Sequence, residues 1–86
     1  MAAIEMYTKP TCPFCVGARR LLSAKGQTWT EVDIAAHPER REEMVRRSGR
    51  TTVPQIWIEG RHVGGFDDLS ELAESGELDR LLGDAR

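Results

Sequence analysis

Lys9-Pro10-Thr11-Cys12-Pro13-Phe14-Cys15 carries the only two cysteines of the 86-residue chain, three positions apart and just behind the apolar run Ala3-Ile4-Glu5-Met6-Tyr7. If a helix begins at the first cysteine, positions i and i+3 share one face about a turn apart, so the two sulfurs can close a small disulfide ring. Pro13 supports that start. It falls at the first helical position, where its missing N–H is one of the donors left unpaired anyway. Cys12 is then placed as the N-cap, where free backbone donors, the positive end of the helix dipole and the nearby Lys9 favour a thiolate. Cys15, one turn inside, feels less of that field. The asymmetry assigns roles: Cys12 attacks and Cys15 resolves.

Two plainer readings compete. The cysteines could be half of a zinc site completed by His37 and His62, but structural zinc ligands usually come as two closely spaced pairs, and these histidines are far apart. They could also be small buried residues, as free cysteine often is. A proline between them at a helix start is then left without a reason.

Working outward, Ala3 to Tyr7 reads as a strand and Thr8 to Thr11 as the loop that delivers Cys12. From Pro13 to about Lys25, Cys15, Ala18, Leu21 and Leu22 recur at helical spacing, and Gly26 ends the helix. Thr28 to Asp33 is a second strand. The segment from His37 to Ser48 reads as a polar surface helix, with Met44 and Val45 its only strong apolar pair and its arginines and glutamates paired along the helix. Gln55 to Glu59 alternates, with Ile56 and Ile58 on one face and Trp57 on the other, so both faces are covered. Glu59-Gly60 turns into Arg61-His62-Val63, a hairpin. Asp68-Leu69-Ser70-Glu71 has the capping-box pattern and is expected to start a third helix. Gly76 interrupts it before Leu78, Leu81 and Leu82.

The order β-α-β-α-β-β-α gives an α/β fold with a four-stranded mixed sheet flanked by helices on both faces. A C-x-x-C beside such a βαβ pattern is the cue for a thioredoxin-like redox domain. Eighty-six residues make one domain, residues 1–86. The net charge of −2 argues against nucleic acid or anionic membrane as the main partner. No apolar stretch approaches the roughly 18 residues of a membrane span, and the N-terminus has neither a basic segment nor an apolar core of a signal. The expectation is a cytoplasmic, monomeric protein.

Thr52-Val53-Pro54 opens the third strand, and proline cannot donate to a sheet ladder, so Pro54 belongs at its very start. Together with Cys-Pro-Phe-Cys at 12–15 and Gly64-Gly65-Phe66-Asp67-Asp68, this segment makes the chain resemble the glutaredoxin family over nearly its whole length. The likeness is greatest to the short dithiol bacterial type, through Arg50-Thr51-Thr52-Val53-Pro54-Gln55.

The resemblance implies a thioredoxin fold in which Pro54 is cis beside the dithiol, and a groove for one glutathione, the reductant, with no metal. The Val53 backbone would pair with the cysteinyl part of glutathione. Lys9 and Arg41 would hold the glycyl carboxylate, and the start of the third helix, with Asp67 and Asp68, the γ-glutamyl end. Phe14, Thr52, Pro54, Gly65 and Phe66 complete the groove, Phe66 as packing. The family more often has tyrosine at the position of Phe14; the ring still covers the sulfur, without the hydroxyl.

A glutathione-dependent thiol–disulfide oxidoreductase follows, acting on glutathionylated proteins and protein disulfides, ribonucleotide reductase among the substrates that the family implies. One alternative is a small thioredoxin-like reductant charged by thioredoxin reductase, which has no use for Lys9, Arg41 and Asp67. Another is an iron–sulfur carrier with Cys12 and glutathione as cluster ligands, against which Pro13 speaks: in the family, cluster binding goes mostly with a smaller residue there.

Overall fold

Strand β1 (Ile4–Thr8) leads into helix α1 (Pro13–Ala24), then strand β2 (Thr30–Asp33) and helix α2 (Glu39–Ser48). The hairpin of β3 (Gln55–Ile58) and β4 (Arg61–Gly64) follows, and helices α3 (Phe66–Ser75) and α4 (Glu77–Leu81) end the fold. This computed structural model describes residues 2–83. The strands form one sheet in the order β2-β1-β3-β4, with β1 parallel to β2 and antiparallel to β3, and β3 antiparallel to β4. The expected mixed sheet is therefore present, with β1 and β3 at its centre.

Side chains of a strand alternate between faces, and here both faces are apolar. Ile4, Met6, Ile56 and Ile58 join Ala18 and Leu22 of α1, Leu69 of α3 and Leu78 of α4 in one buried cluster. Tyr7 and Trp57 point the other way and meet Ile34, just after β2, and Met44 of α2. The two clusters put α1, α3 and α4 on one side of the sheet and α2 on the other. Between β3 and β4, Glu59 and Gly60 both take positive φ, 53° and 78°, the conformation of a tight two-residue hairpin turn.

Two expectations change. Helix α2 is more than a solvated surface helix. Arg46 lies 4.0 Å from Glu42 along the helix, and Arg40 holds Glu43. Arg47, however, lies over the Trp57 ring at 4.2 Å, donates to the Tyr7 hydroxyl at 3.0 Å and pairs with Glu5 at 3.1 Å. Tyr7 in turn donates to Glu43. The long arginine stem can cover an aromatic ring while its head stays bonded, so a charged residue supplies sheet-facing contact here. Helix α3 begins earlier than the Asp68 pattern suggests: Gly65 is its N-cap, and Asp68 Oδ2 reaches back to accept the Gly65 N–H at 2.9 Å. Asp68 is the acid of the first turn and not the cap.

Glu31 ties the edge strand β2 to its neighbours. Its carboxylate accepts from Arg19 of α1 (2.7 Å), Thr8 of β1 (2.8 Å) and Trp29 (2.9 Å). The Arg19 bonds hold its pKa down to about 2 against the opposing effect of burial. A depressed carboxylate pKa stabilises the fold fully above the ordinary value of 4.5 and progressively less as pH falls through about 2. Glu31→Gln is therefore expected to lower the urea midpoint at pH 7, with the gap from wild type closing between about pH 4.5 and pH 2. A gap that stays constant over that range would refute the assignment.

Candidate active site

Cys12 stands where β1 has ended and α1 begins. Its backbone is extended, with φ −99° and ψ 114°, and its carbonyl accepts the first helical bond, from Val16 N at 3.1 Å. An N-cap must offer a side-chain acceptor to a free N–H of the first turn, and the acceptor here is sulfur: Cys15 N–H donates to Cys12 Sγ at 3.3 Å. Cys12 is half-buried and Cys15 wholly buried, both as free thiols. Burial pushes the Cys15 thiol up to about 12; the Cys12 sulfur adds to the rise, and the backbone N–H of Lys9 opposes it. Cys12 is thus the more accessible sulfur, and Cys15 is the buried and protonated one.

Cys12 Sγ also donates to the carbonyl of Val53 at 3.6 Å, and the Val53–Pro54 bond is cis. From Val53 a groove of about 290 Å³ opens, lined by Phe14, Thr52 to Pro54, Arg50 and residues 65–68. Of the expected groove residues, Phe14, Thr52, Val53, Pro54, Gly65, Phe66, Asp67 and Asp68 are brought together here. Lys9 and Arg41 do not line it; both are exposed, and neither pairs with a carboxylate among the described residues. Phe14 is 59% exposed, its ring 6.5 Å from that of Phe66. Phe66 can settle against α1 because position 17 is glycine: a Cβ there would meet the Phe66 ring at 2.8 Å.

Arg50 was not expected. It bonds Asp68 Oδ2 at 2.9 Å and so bridges the Thr52–Pro54 segment to the start of α3. The Gly65 N–H and then Arg50 hold the Asp68 carboxyl below the usual carboxylate range. Its position two residues before Thr52-Val53-Pro54 was the available signal. His62, considered above as a zinc ligand, is bonded to Gln55 at 2.8 Å, and His37 stands 3.7 Å from Glu39. Among the described residues no three histidine, cysteine or carboxylate side chains gather as a metal would require.

A mixed sheet of this topology, a C-x-x-C at the start of its first helix and a cis-proline segment against the first sulfur define a thioredoxin-fold thiol–disulfide oxidoreductase. Residues 4–63 match the family profile described as Glutaredoxin. The chain is 55% identical over 82 residues to Glutaredoxin 3 of Escherichia coli strain K12, an alignment that spans 95% of this chain and 99% of that one. The solution structure of glutaredoxin from Brucella melitensis is 49% identical and matches with a TM-score of 0.84, over 100% of this chain and 94% of that one. The crystal structure of a buckwheat glutaredoxin–glutathione complex shares the fold, with a TM-score of 0.88 at 22% identity over 96% and 78% of the two chains. The chain belongs to the glutaredoxin family, whose members are thiol–disulfide oxidoreductases that use glutathione as reductant.

Two outcomes follow from this geometry. Iodoacetamide at pH 7 should modify the reduced protein once, at Cys12, because Cys15 is buried and protonated; two adducts on the folded protein by intact mass would refute that. Gly64 has φ +119°, and a Cβ there would run into the Asp68 carboxylate. Gly64→Ala should therefore cost about 1–3 kcal/mol in urea unfolding, whereas an unchanged midpoint would mean that Asp68 moves freely.

Proposed function

We propose that this protein uses glutathione to reduce glutathionylated proteins and protein disulfides in the cytoplasm, as a monomer and with residues 1–86 acting as one domain. Ribonucleotide reductase is one such substrate by family analogy. The observation that carries the reading is the groove that starts at Val53, the residue whose carbonyl touches the Cys12 sulfur, and runs to the N-terminus of α3.

Glutathione has a carboxylate at each end and one ammonium. A helix start supplies N–H donors for a carboxylate, and the exposed Asp67 beside it suits the ammonium. Asp68 is already engaged by Gly65 and Arg50, so its part is to hold the rim. Lys9 and Arg41 lie outside the groove lining; exposed and without a carboxylate partner among the described residues, their long side chains suit the glycyl carboxylate. Phe14, with its ring exposed, covers the disulfide.

In the monothiol route the Cys12 thiolate attacks the glutathionyl sulfur of the substrate. The Cys12–glutathione disulfide forms, and the substrate leaves as its thiolate. A second glutathione thiolate attacks that adduct at the glutathione sulfur, releasing oxidised glutathione and the Cys12 thiolate. In the dithiol route Cys12 forms a mixed disulfide with the substrate and expels one substrate thiolate. Cys15 then gives up its proton, to the expelled thiolate or to water, and attacks the Cys12 sulfur; the second substrate thiolate leaves and Cys12–Cys15 remains oxidised. Glutathione restores the dithiol.

Turnover of a glutathione mixed disulfide, coupled to glutathione reductase and NADPH, tests this. Activity should vanish in Cys12→Ser and persist in Cys15→Ser. Lys9→Ala and Arg41→Ala should each raise KM for glutathione roughly two- to fivefold, the worth of one exposed ion pair. No turnover by the wild type, with insulin still reduced through thioredoxin reductase, would replace this reading with the thioredoxin-like one.

A further inference from the structure

Gln55 opens β3 with no exposed surface, and its carboxamide turns back over the residues before it. Nε2 donates to the Thr52 carbonyl at 3.1 Å and to Thr52 Oγ1 at 3.2 Å, while Oε1 lies 2.8 Å from His62 Nε2. A carbonyl only accepts, so the amide nitrogen must face Thr52 and the amide oxygen must face His62. His62 therefore donates from Nε2–H. Its ring is held against Trp57, with centroids 4.8 Å apart.

The Thr52 C=O and the Val53 N–H are the two ends of one planar trans peptide and point in opposite directions. Gln55 draws the carbonyl inward, so the N–H is turned outward, on the side where Val53 lines the groove. No acceptor among the described residues takes that N–H. The carbonyl that touches Cys12 belongs to the next peptide, Val53–Pro54, so the Gln55 bonds fix the donor without setting the sulfur directly.

We propose that Gln55, anchored by His62, is a positioning residue for the ligand: it sets the Thr52–Val53 peptide plane so that the Val53 N–H is presented to an extended peptide lying in the groove. Such pairing is that of an added strand, in which main-chain bonds give affinity. The inference rests on the glutathione reading above and adds to it the residues that prepare the backbone donor before the ligand arrives. A buried amide that served stability alone would affect every reaction of the protein. One that aims a ligand donor affects the step in which glutathione is held.

The test compares KM for glutathione in the coupled assay with the rate of Cys12 alkylation by iodoacetamide at pH 7, which needs no groove. Gln55→Leu is expected to raise KM roughly three- to tenfold, the worth of one hydrogen bond, with the alkylation rate unchanged. His62→Phe, which keeps a ring against Trp57 but removes the donor, should raise KM less, and His62→Gln, which restores an N–H at the same reach, should recover it. Unchanged KM in Gln55→Leu overturns the proposal, and so does a loss of alkylation in step with the rise in KM. Should Gln55→Leu not fold, the two His62 variants decide, and equal KM values for them overturn it. Absence of glutathione turnover in the wild type itself would overturn the functional reading and this inference together, whereas normal wild-type turnover with an indifferent Gln55→Leu removes this inference alone.

Discussion

The bond from the Cys15 N–H to the Cys12 sulfur, 3.3 Å long, joins a need of the backbone to a need of the chemistry. A helix leaves its first N–H groups without internal partners and takes an acceptor from the residue at its cap. Here that acceptor is the reacting atom. The cap position holds the sulfur at the end of β1 and outside the core, and the i+3 spacing places Cys15 on the inner side of the same turn. Helix α1 keeps that orientation because Ala18 and Leu22 are sunk among Ile4, Met6, Ile56 and Ile58. Rotating the helix would bury Cys12 and expose apolar surface, so the packing of the fold is also what makes one sulfur reachable and the other not.

Apolar clusters of this kind tolerate small shifts, and three polar side chains fix the relative placement of the elements that meet at the groove. Glu31 gathers donors from α1, β1 and the residue before β2. Asp68 gathers Arg50 and the Gly65 N–H. Gln55, which pairs in register with Tyr7 at the end of β1, gathers Thr52 and His62. Each binds more than one partner at directional distances, and a half-buried or buried polar group with every partner in place has one favourable arrangement where an aliphatic side chain has several. The apolar clusters account for the layers, and these groups account for the register near Cys12.

This division marks what could be read from the sequence. The C-x-x-C, the alternation at Ile56-Trp57-Ile58 and the Glu59-Gly60 turn are local patterns whose physics is complete within a few residues, and the element order and the N-cap placement of Cys12 can be read from them. Arg50 joining Asp68, Arg47 lying on Trp57 and Glu31 meeting Arg19 are pairings across distant segments. No periodicity announces them, since they exist only after the sheet has formed. The start of α3 was misplaced for a related reason: an Asp at the first turn reads equally as a cap or as the acid that reaches back to one, and the Gly65 N–H decides. As partners for a carboxylate, Lys9 and Arg41 rest on the family resemblance, and the groove lining instead brings in Arg50, two residues before the segment that the sequence marks.

The Cys12 sulfur also bears on the charge state of Cys15. Burial is the main cause of the high Cys15 pKa, and the neighbouring Cys12 sulfur is the next. Negative charge on the Cys12 sulfur disfavours a second negative charge beside it, which helps to keep Cys15 protonated. Once Cys12 is in a mixed disulfide it carries no charge, and its electrostatic opposition to ionisation of Cys15 is gone. The backbone N–H of Lys9, which already favours the Cys15 thiolate, then acts against burial alone. A disulfide at Cys12 thus removes one of the two causes that raise the Cys15 pKa and leaves burial as the other.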